Sequence, residues 1–264
     1  MIVFGSKSVQ KKLGAIAVPC PLRGRICRFE AWDIRNAFHI WFIPLGIGKH
    51  RHYEIRDKSV GIFYLAEYDL VQHAEKRPHD DSINELIAAT NPEAIEAQRR
   101  HDDWVARCLE SPRQSDDRLT YSVQMFADAE FSFQQATATG ASESISAVLA
   151  LFLICSVFAA AILWQSSASV WLPLPVATAA VLLPILVWRA LVSSKKAGLR
   201  AIESQLADAI GRISPTLEEV DTARLCACDA GLQLAKAAET VDLWALIEMP
   251  GASMGRLAAR RAPR

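Results

Sequence analysis

Four side chains near the N-terminus belong to the residue types that hold transition metals. Thiolate sulfur and neutral imidazole nitrogen are the ligands that zinc prefers in structural sites. His50 and His52 are two residues apart, so on a strand they would share one face. The four metal-ligand candidates of the chain are Cys20, Cys27, His50 and His52. A histidine near a strand end is usually a solvated or packing residue, and we therefore expect no metal and no other cofactor.

A second pattern that could do chemistry is the tripeptide "HDD", which occurs at 79–81 and again at 101–103. Histidines paired with carboxylates hold divalent metals in phosphohydrolases. Here no nucleophile, glycine-rich loop or third element accompanies the two tripeptides, so a hydrolase is only an alternative. We interpret them as solvated faces and as negative charge near helix N-termini. The chain is predicted not to be an enzyme, with no catalytic residue.

The elements that would position the N-terminal candidates are short strands and turns. The segments "GAIAV" and "FHIWFIPL" are rich in β-branched or aromatic residues, and "PLGIG" is typical of a turn. "MIVFGSK", "VPCPLRG" and "FHIWFIPLGIGKHRHYEI" together resemble bacterial zinc-ribbon domains. The pattern of those domains is a CPxCG knuckle, an aromatic IPL hairpin and a second CxxCG knuckle. The similarity covers residues 1–61.

This resemblance implies a small β ribbon whose two knuckles each supply two zinc ligands. The chain departs from the pattern, because Arg23, Arg56 and Ser59 stand where three of the four thiolates are expected. Two arginines at these positions would repel Zn²⁺, so the predicted metal site is degenerate. A ribbon this small is marginally stable without its metal. We therefore expect its aromatic side chains to be covered by the following segment of the same chain or by a partner.

Charge is segregated along the chain although the net charge is zero. Residues 1–62 carry eleven Lys and Arg against four Asp and Glu, a net of +7, and residues 63–143 carry seven against sixteen, a net of −9. The basic head either attracts the acidic middle or faces an anionic partner. Anionic lipid is one such partner; nucleic acid is the other alternative and is not the expected one.

An uncharged run extends from residue 144 to residue 188. Its segments 145–164 and 170–188 are each long enough to cross the hydrocarbon core of a bilayer as helices. Trp164, Trp171 and Trp188 lie at span ends, and a cluster of Lys and Arg follows the second span. These features predict a transmembrane hairpin in the bacterial inner (plasma) membrane, with both termini cytoplasmic.

The remaining sequence is typical of helices. Between residues 119 and 136, Leu119, Phe126, Ala129 and others recur at three- and four-residue steps, which indicates one buried helix face. Eight positions from Val220 to Trp244 repeat the same step and predict a continuous, coiled-coil-like seam. That seam would bind a protein partner or a second copy of the chain. The arginine-rich tail could lie against anionic lipid or be free in solvent.

The predicted fold class is a mainly α membrane protein with a small N-terminal β ribbon-like domain. It has four parts: the ribbon-like head (1–62), an acidic helical region (63–143), the membrane hairpin (144–192) and a C-terminal helical hairpin with a basic tail (193–264). The predicted function is a membrane-anchored, non-enzymatic protein-interaction or assembly factor on the cytoplasmic side. The alternative is binding of anionic lipid or nucleic acid by the basic head, and a transporter subunit is a weaker one.

Overall fold

Four strands form one antiparallel sheet in which chain neighbours are also sheet neighbours. They are β1 (Phe4–Cys20), β2 (Arg25–Ile40), β3 (Ile43–Asp57) and β4 (Ile62–Ala66). The computed structural model describes residues 4–40, 43–57, 60–76, 82–138, 189, 196, 198–200 and 202–248. The chain divides into two units, the first made of Met1–Ser132 and Ile202–Arg264 and the second of Phe133–Ala201.

Strand β1 contains a β-bulge at Gly14 and continues beyond it. Its ladder with β2 shifts register between Lys12 and Gly14, as a β-bulge does. Glycine is required there because a Cβ on Gly14 would lie 2.4 Å from the carbonyl oxygen of Glu75. That close approach lets Ala15 and Glu75 exchange two backbone hydrogen bonds, each of 2.9 Å. The bulge therefore keeps β1 in the sheet while a later segment packs against it.

Helices account for most of the rest of the first unit. Those of the middle region are α1 (Tyr68–Val71), α2 (Ile83–Thr90), α3 (Ala94–Glu110) and α4 (helical residues 116–132). Those of the C-terminal region are α5 (helical residues 202–211), α6 (Leu217–Asp229), α7 (Gln233–Ala237) and α8 (Thr240–Glu248). In the second unit, residues 133–138 and 198–200 are helical.

The first strand of the sheet packs against a later segment of its own chain. Ala15 and Ala17 of β1 share a buried cluster with Leu86 and Ile87 of α2. The backbone N–H of Ala17 donates to the Thr90 hydroxyl over 3.1 Å. Both contacts place α2 against β1 by apolar burial and hydrogen bonding. The ion pairs that the structure places in the head join residues of the head to one another.

A buried ion pair joins the middle and C-terminal helices. Arg118 of α4 donates to both carboxylate oxygens of Glu219 of α6, over 2.7 and 3.0 Å, and each residue is about 6% exposed. Glu219 also forms a capping box with Thr216 at the start of α6. Further along α4, the Glu130 carboxylate accepts the backbone N–H groups of the first residues of α7. The buried face predicted for the helix of residues 119–136 is confirmed, since Phe126 and Ala129 are fully buried.

The predicted fold class, a mainly α membrane protein, is wrong. The structure has a four-stranded antiparallel sheet whose first three strands are 17, 16 and 15 residues long. A small ribbon was expected because the segment "PLGIG" is typical of a turn and residues 1–61 resemble zinc-ribbon domains. In the structure "PLGIG" is part of β3, whose ladder with β2 shifts register at several points, as β-bulges do.

The membrane prediction is corrected as well. Within the described ranges, no helix combines the length and the apolar character that crossing a bilayer requires. The segments 145–164 and 170–188, which were predicted to be the spans, lie outside those ranges. An inner-membrane location with both termini cytoplasmic depended on the spans, and it is corrected on the same finding.

The continuous C-terminal seam is also wrong. Helix α6 ends at Asp229, and Gly231 follows with a φ of +88°, in the left-handed region that favours glycine. Val220, Ala223 and Ala227 are buried as the spacing predicts. Beyond the break the pattern predicts burial only in part, since Leu234 is fully buried and Val241 is 59% exposed. Three short helices replace the coiled coil because the turn at Gly231 changes the chain direction.

Candidate functional site

Two of the predicted metal ligands lie side by side at the first hairpin. Cys20 is the last residue of β1, and the turn that follows is closed by the backbone N–H of Gly24 donating to Cys20 O over 2.8 Å. Gly24 has a φ of +59°, so the turn favours glycine there. Cys20 is paired with Arg25 and Val18 with Cys27. The two cysteines are therefore diagonal neighbours on one face of the sheet, and their thiols interact.

The thiol pair is buried against a tyrosine. Cys20 is fully buried, and Cys27 retains 6% exposure. The Cys20 sulfur lies 3.5 Å from the hydroxyl oxygen of Tyr64 on β4, and the Tyr64 ring packs against Phe29 at a centroid distance of 5.8 Å. The Cys27 thiol lies 3.6 Å from the carbonyl oxygen of Arg25. All of these cysteines are free thiols.

The two thiols differ in acidity. The hydrogen bond from Cys20, followed by the charges of Arg23 and Arg25, lowers the pKa of Cys27 to about 6, although burial opposes the shift. The same hydrogen bond and burial raise the pKa of Cys20 far above its ordinary value. Burial likewise raises the pKa of Tyr64. The arrangement holds one thiolate and one thiol at neutral pH, with Cys27 as the anion.

The other two metal candidates lie far from the thiols. His52 is paired with Ile34 on β2, seven residues beyond Cys27, which corresponds to about 23 Å along a strand. His50 Nδ1 lies 2.8 Å from Asp33 Oδ1, and His52 lies 3.5 Å from Glu54. No group of three or more His, Cys, Asp or Glu residues in the described part of the chain could hold a metal ion. The zinc-ribbon and metal-site interpretation is therefore corrected, because the long strands separate its ligands.

Arginines occupy two of the positions where the ribbon pattern expects cysteine. Arg23 contacts Asp57 over 3.3 Å and thereby connects the two segments that were predicted to be knuckles. Arg56 pairs with Glu54, donates to Gln10 over 2.9 Å and lies 4.8 Å from the centre of the Trp32 ring. A guanidinium over an aromatic face contributes about 1–2 kcal/mol when it is partly desolvated. These contacts stabilise the sheet where a ribbon would use its metal.

The second HDD element offers little for catalysis. It lies on α3, where Asp102 and Asp103 are exposed and Asp102 accepts a hydrogen bond from Gln98 over 2.7 Å. The His101 ring packs against Tyr121 at a centroid distance of 6.0 Å, and burial lowers the pKa of His101. The first element, 79–81, lies outside the described residues.

A groove of about 790 Å³ lies beside α6 and α8. Its rim carries two exposed aliphatic side chains, Leu217 at 45% and Val241 at 59% exposure. Its charged lining residues are Glu218, Asp221, Arg224, Lys236 and Glu239.

The polar residues that line this groove are connected by a hydrogen-bond network. The Thr240 hydroxyl donates to Asp221 over 2.6 Å and accepts from Arg224 over 2.7 Å. Arg224 also pairs with Asp221 over 3.3 Å. The hydrogen bond from Thr240, followed by that from Arg224, lowers the pKa of Asp221. Because these polar groups already bind one another, the exposed side chains of Leu217 and Val241 are available to contact a partner.

Sequence reasoning singled out Cys20 and Cys27 for metal binding and missed the groove and Tyr64. The thiol pair was not readable from the sequence, because the diagonal placement of Cys20 and Cys27 follows from the register of β1 and β2. The groove arises where a predicted single helix breaks, and no local pattern indicated it.

Comparison with protein-family models, curated proteins and solved structures found no match.

Proposed function

We propose that this chain is a non-enzymatic protein-interaction module that binds a partner segment in the groove beside α6 and α8. The observation that carries the proposal is the pair of aliphatic side chains on the rim, Leu217 and Val241, which stay exposed on helices whose opposite faces are buried. Aliphatic groups around a pre-formed concavity are typical of sites that take up an anchoring side chain.

The charges of the groove define the chemistry of the partner. Asp221 and Arg224, which both line the groove, neutralise each other. The remaining charged lining residues are Glu218, Glu239 and Lys236, which leaves a net charge of −1 from two acids and one base. A segment that presents one aliphatic side chain flanked by lysine or arginine would therefore match both the rim and the charge.

Selection of displayed random peptides on the full-length chain tests the proposal. We expect enriched peptides to carry an aliphatic residue next to basic residues. Their affinity should fall at least tenfold for Val241→Asp, because the substitution places a charge in the apolar contact. Fluorescence anisotropy of an enriched peptide measures the change.

The matched control is Ile95→Asp, which changes an aliphatic residue of similar exposure, 61%, on the distant helix α3. It should leave peptide affinity unchanged. Peptides that bind the Val241 variant as tightly as the parent would refute the site. Enrichment of acidic peptides would refute the assigned chemistry. Sedimentation of the chain without peptide shows whether a second copy of the chain is the occupant.

A second candidate function is binding of a phosphate polyanion by the head. The basic side chains on the head surface remain exposed, whereas the acids Asp33 and Glu54 are only 2% exposed and are paired. The exposed bases include Lys11, Arg25, Arg28, Lys49 and Arg51. The surface is therefore more basic than the sequence charge of the head suggests.

This candidate predicts binding of a DNA duplex or of phosphatidylserine vesicles that weakens steeply with salt. Lys49→Glu combined with Arg51→Glu should reduce that binding further. Affinity that does not change between low and high salt would exclude it, and the two probes distinguish nucleic acid from lipid.

A further inference from the structure

We propose that Cys20 and Cys27 form a peroxide-sensitive dithiol in which Cys27 is oxidised first and Cys20 resolves it into an intramolecular disulfide. The proposal is independent of the groove. The first observation behind it is the placement of the two cysteines, which lie at diagonal positions across the β1–β2 hairpin with their thiols in contact. No third residue has to move for the sulfurs to meet.

The surroundings assign a different role to each thiol. Cys27 keeps 6% exposure and lies near the positive charges of Arg23 and Arg25, which favour its thiolate. Cys20 is fully buried and donates toward Cys27. The attacking group must be a thiolate with access to the oxidant. Hydrogen peroxide is small and uncharged, and it is the class of oxidant that such a narrow opening admits.

The chemistry balances with hydrogen peroxide as the only co-reactant. The Cys27 thiolate attacks one peroxide oxygen, an S–O bond forms, the O–O bond breaks, and the leaving hydroxide is protonated to water. The Cys20 sulfur then attacks the sulfur of the sulfenic acid. The S–S bond forms, the S–O bond breaks, and a second water leaves with the proton of Cys20. Two thiols lose two electrons in total, and one peroxide gains them.

Disulfide formation should change the hairpin turn. Diagonal neighbours lie farther apart than directly opposite residues, and an S–S bond is only about 2.05 Å long. Its formation therefore draws β1 and β2 together beside the turn. Arg212, which directly follows α5, holds that turn by donating to the carbonyl oxygens of Pro21 and Leu22, each over 2.6 Å. Oxidation is consequently coupled to the contact between the hairpin and the C-terminal helices.

The test is treatment of the full-length chain, carrying Cys226→Ser and Cys228→Ser, with hydrogen peroxide at neutral pH. These two positions are the more exposed thiols on α6 and would otherwise react as well. Trypsin under non-reducing conditions should release "LGAIAVPCPLR" joined to "ICR", with a mass lower by two hydrogen atoms than the two peptides together. Recovery of both peptides as free thiols, or of "ICR" only as a sulfinic acid, would overturn the proposal.

Single substitutions of Cys20 and Cys27 distinguish the resolving thiol from the thiol that is oxidised first. Cys20→Ser should trap Cys27 as a sulfenic acid that dimedone labels, whereas Cys27→Ser should abolish both dimedone labelling at the pair and the disulfide. Cys108→Ser is the control, because Cys108 is buried on α3 with its thiol directed to Asp117 O. It should leave the linked peptides unchanged.

If the Cys20 variant does not fold, the pH dependence of peroxide oxidation of the parent gives a second measurement. The rate of disulfide formation should follow the Cys27 thiolate, whose pKa is lowered to about 6, and should reach half of its maximum near that pH. A rate that rises only at about pH 8.5, as for an ordinary thiol, would contradict the assignment of Cys27 as the reactive thiolate.

Discussion

The sheet and the helical part of the first unit each contain a buried arginine–carboxylate pair, but the pairs connect different lengths of chain. Arg56 and Glu54 are two residues apart on the same strand. Arg118 and Glu219 are 101 residues apart and belong to different helices. The sheet is continuous in sequence and held by its own ladders, so its ion pair acts within an already ordered strand. The helices depend on contacts between distant segments, and their ion pair supplies one of them.

The largest expected effect is loss of the long-range pair. Arg118→Met leaves the Glu219 carboxylate buried without its cation and also removes a hydrogen bond to the Cys108 carbonyl. Breaking a buried pair in this way costs about 3–5 kcal/mol. Urea denaturation measures the change in the free energy of unfolding.

The matched control for this substitution is Arg99→Met on α3, whose pair with Glu96 is exposed. An exposed pair contributes little to stability, because water and salt screen its charges. An effect of similar size in the two variants would show that the buried pair does not hold the helices together.

Low pH should lower the stability of the helical part, because it protonates the Glu219 carboxylate. Burial opposes ionisation of Glu219, but hydrogen bonds from Arg118 and from two backbone N–H groups lower its pKa from 4.5 to about 2. The stabilisation is therefore fully present above pH 4.5 and is lost as the pH falls towards 2. A shift of this size corresponds to about 3 kcal/mol. Unfolding free energies between pH 6 and pH 2.5 should show this slope, and Glu219→Gln should lack it.

A smaller effect is expected in the sheet. Arg56→Met removes the partner of Glu54 and the contact with the Trp32 ring, while the strand ladder and the His52 contact with Glu54 remain. We expect a loss of about 2 kcal/mol, the range for hydrogen bonds to charged groups. Arg51→Met, an exposed change on the same strand, is the control. A cost equal to that of Arg118→Met would contradict the comparison between the two regions.

The smallest expected effect concerns the contact between the regions. Arg212→Met removes two hydrogen bonds to the hairpin turn at Pro21 and Leu22. The expected cost is about 1–2 kcal/mol. Faster hydrogen exchange at the backbone amides of Arg23 and Gly24, with no change in α3, would show that the loss of stability is confined to the hairpin turn. Uniformly faster exchange would show that this contact is part of the global core.

Local patterns predicted several elements of this structure. The stripe in residues 119–136 predicted the buried face of α4, and Thr216 and Glu219 have the spacing that is typical of the capping box observed in α6. Such signals succeed because helix periodicity and capping depend on residues within one or two turns. The length of the strands was not predictable in this way. The bulge after Lys12 is stabilised by the Glu75 backbone, which is about sixty residues away in sequence.

The candidate sites, too, were predictable in part from the sequence, and the rest of each site depended on the tertiary structure. The sequence supplied the reactive residue types, Cys20 and Cys27, and grouped them with His50 and His52 as candidate metal ligands, although no metal was expected. The sheet register separated the histidines from the thiols and brought Tyr64 to Cys20 instead. The groove depended on the break at Gly231, where the hydrophobic spacing continues although the helix does not.

The sequence by itself determined the segregation of charge and the buried faces of α4 and α6. These features follow from residue type and short spacing. Only the tertiary structure decided that Asp33 and Glu54 are buried, that Glu219 binds Arg118, and that two thiols share one pocket. Burial and long-range pairing depend on where distant segments meet, because the free energy of a charge is set by its neighbours in space and not by its neighbours in sequence.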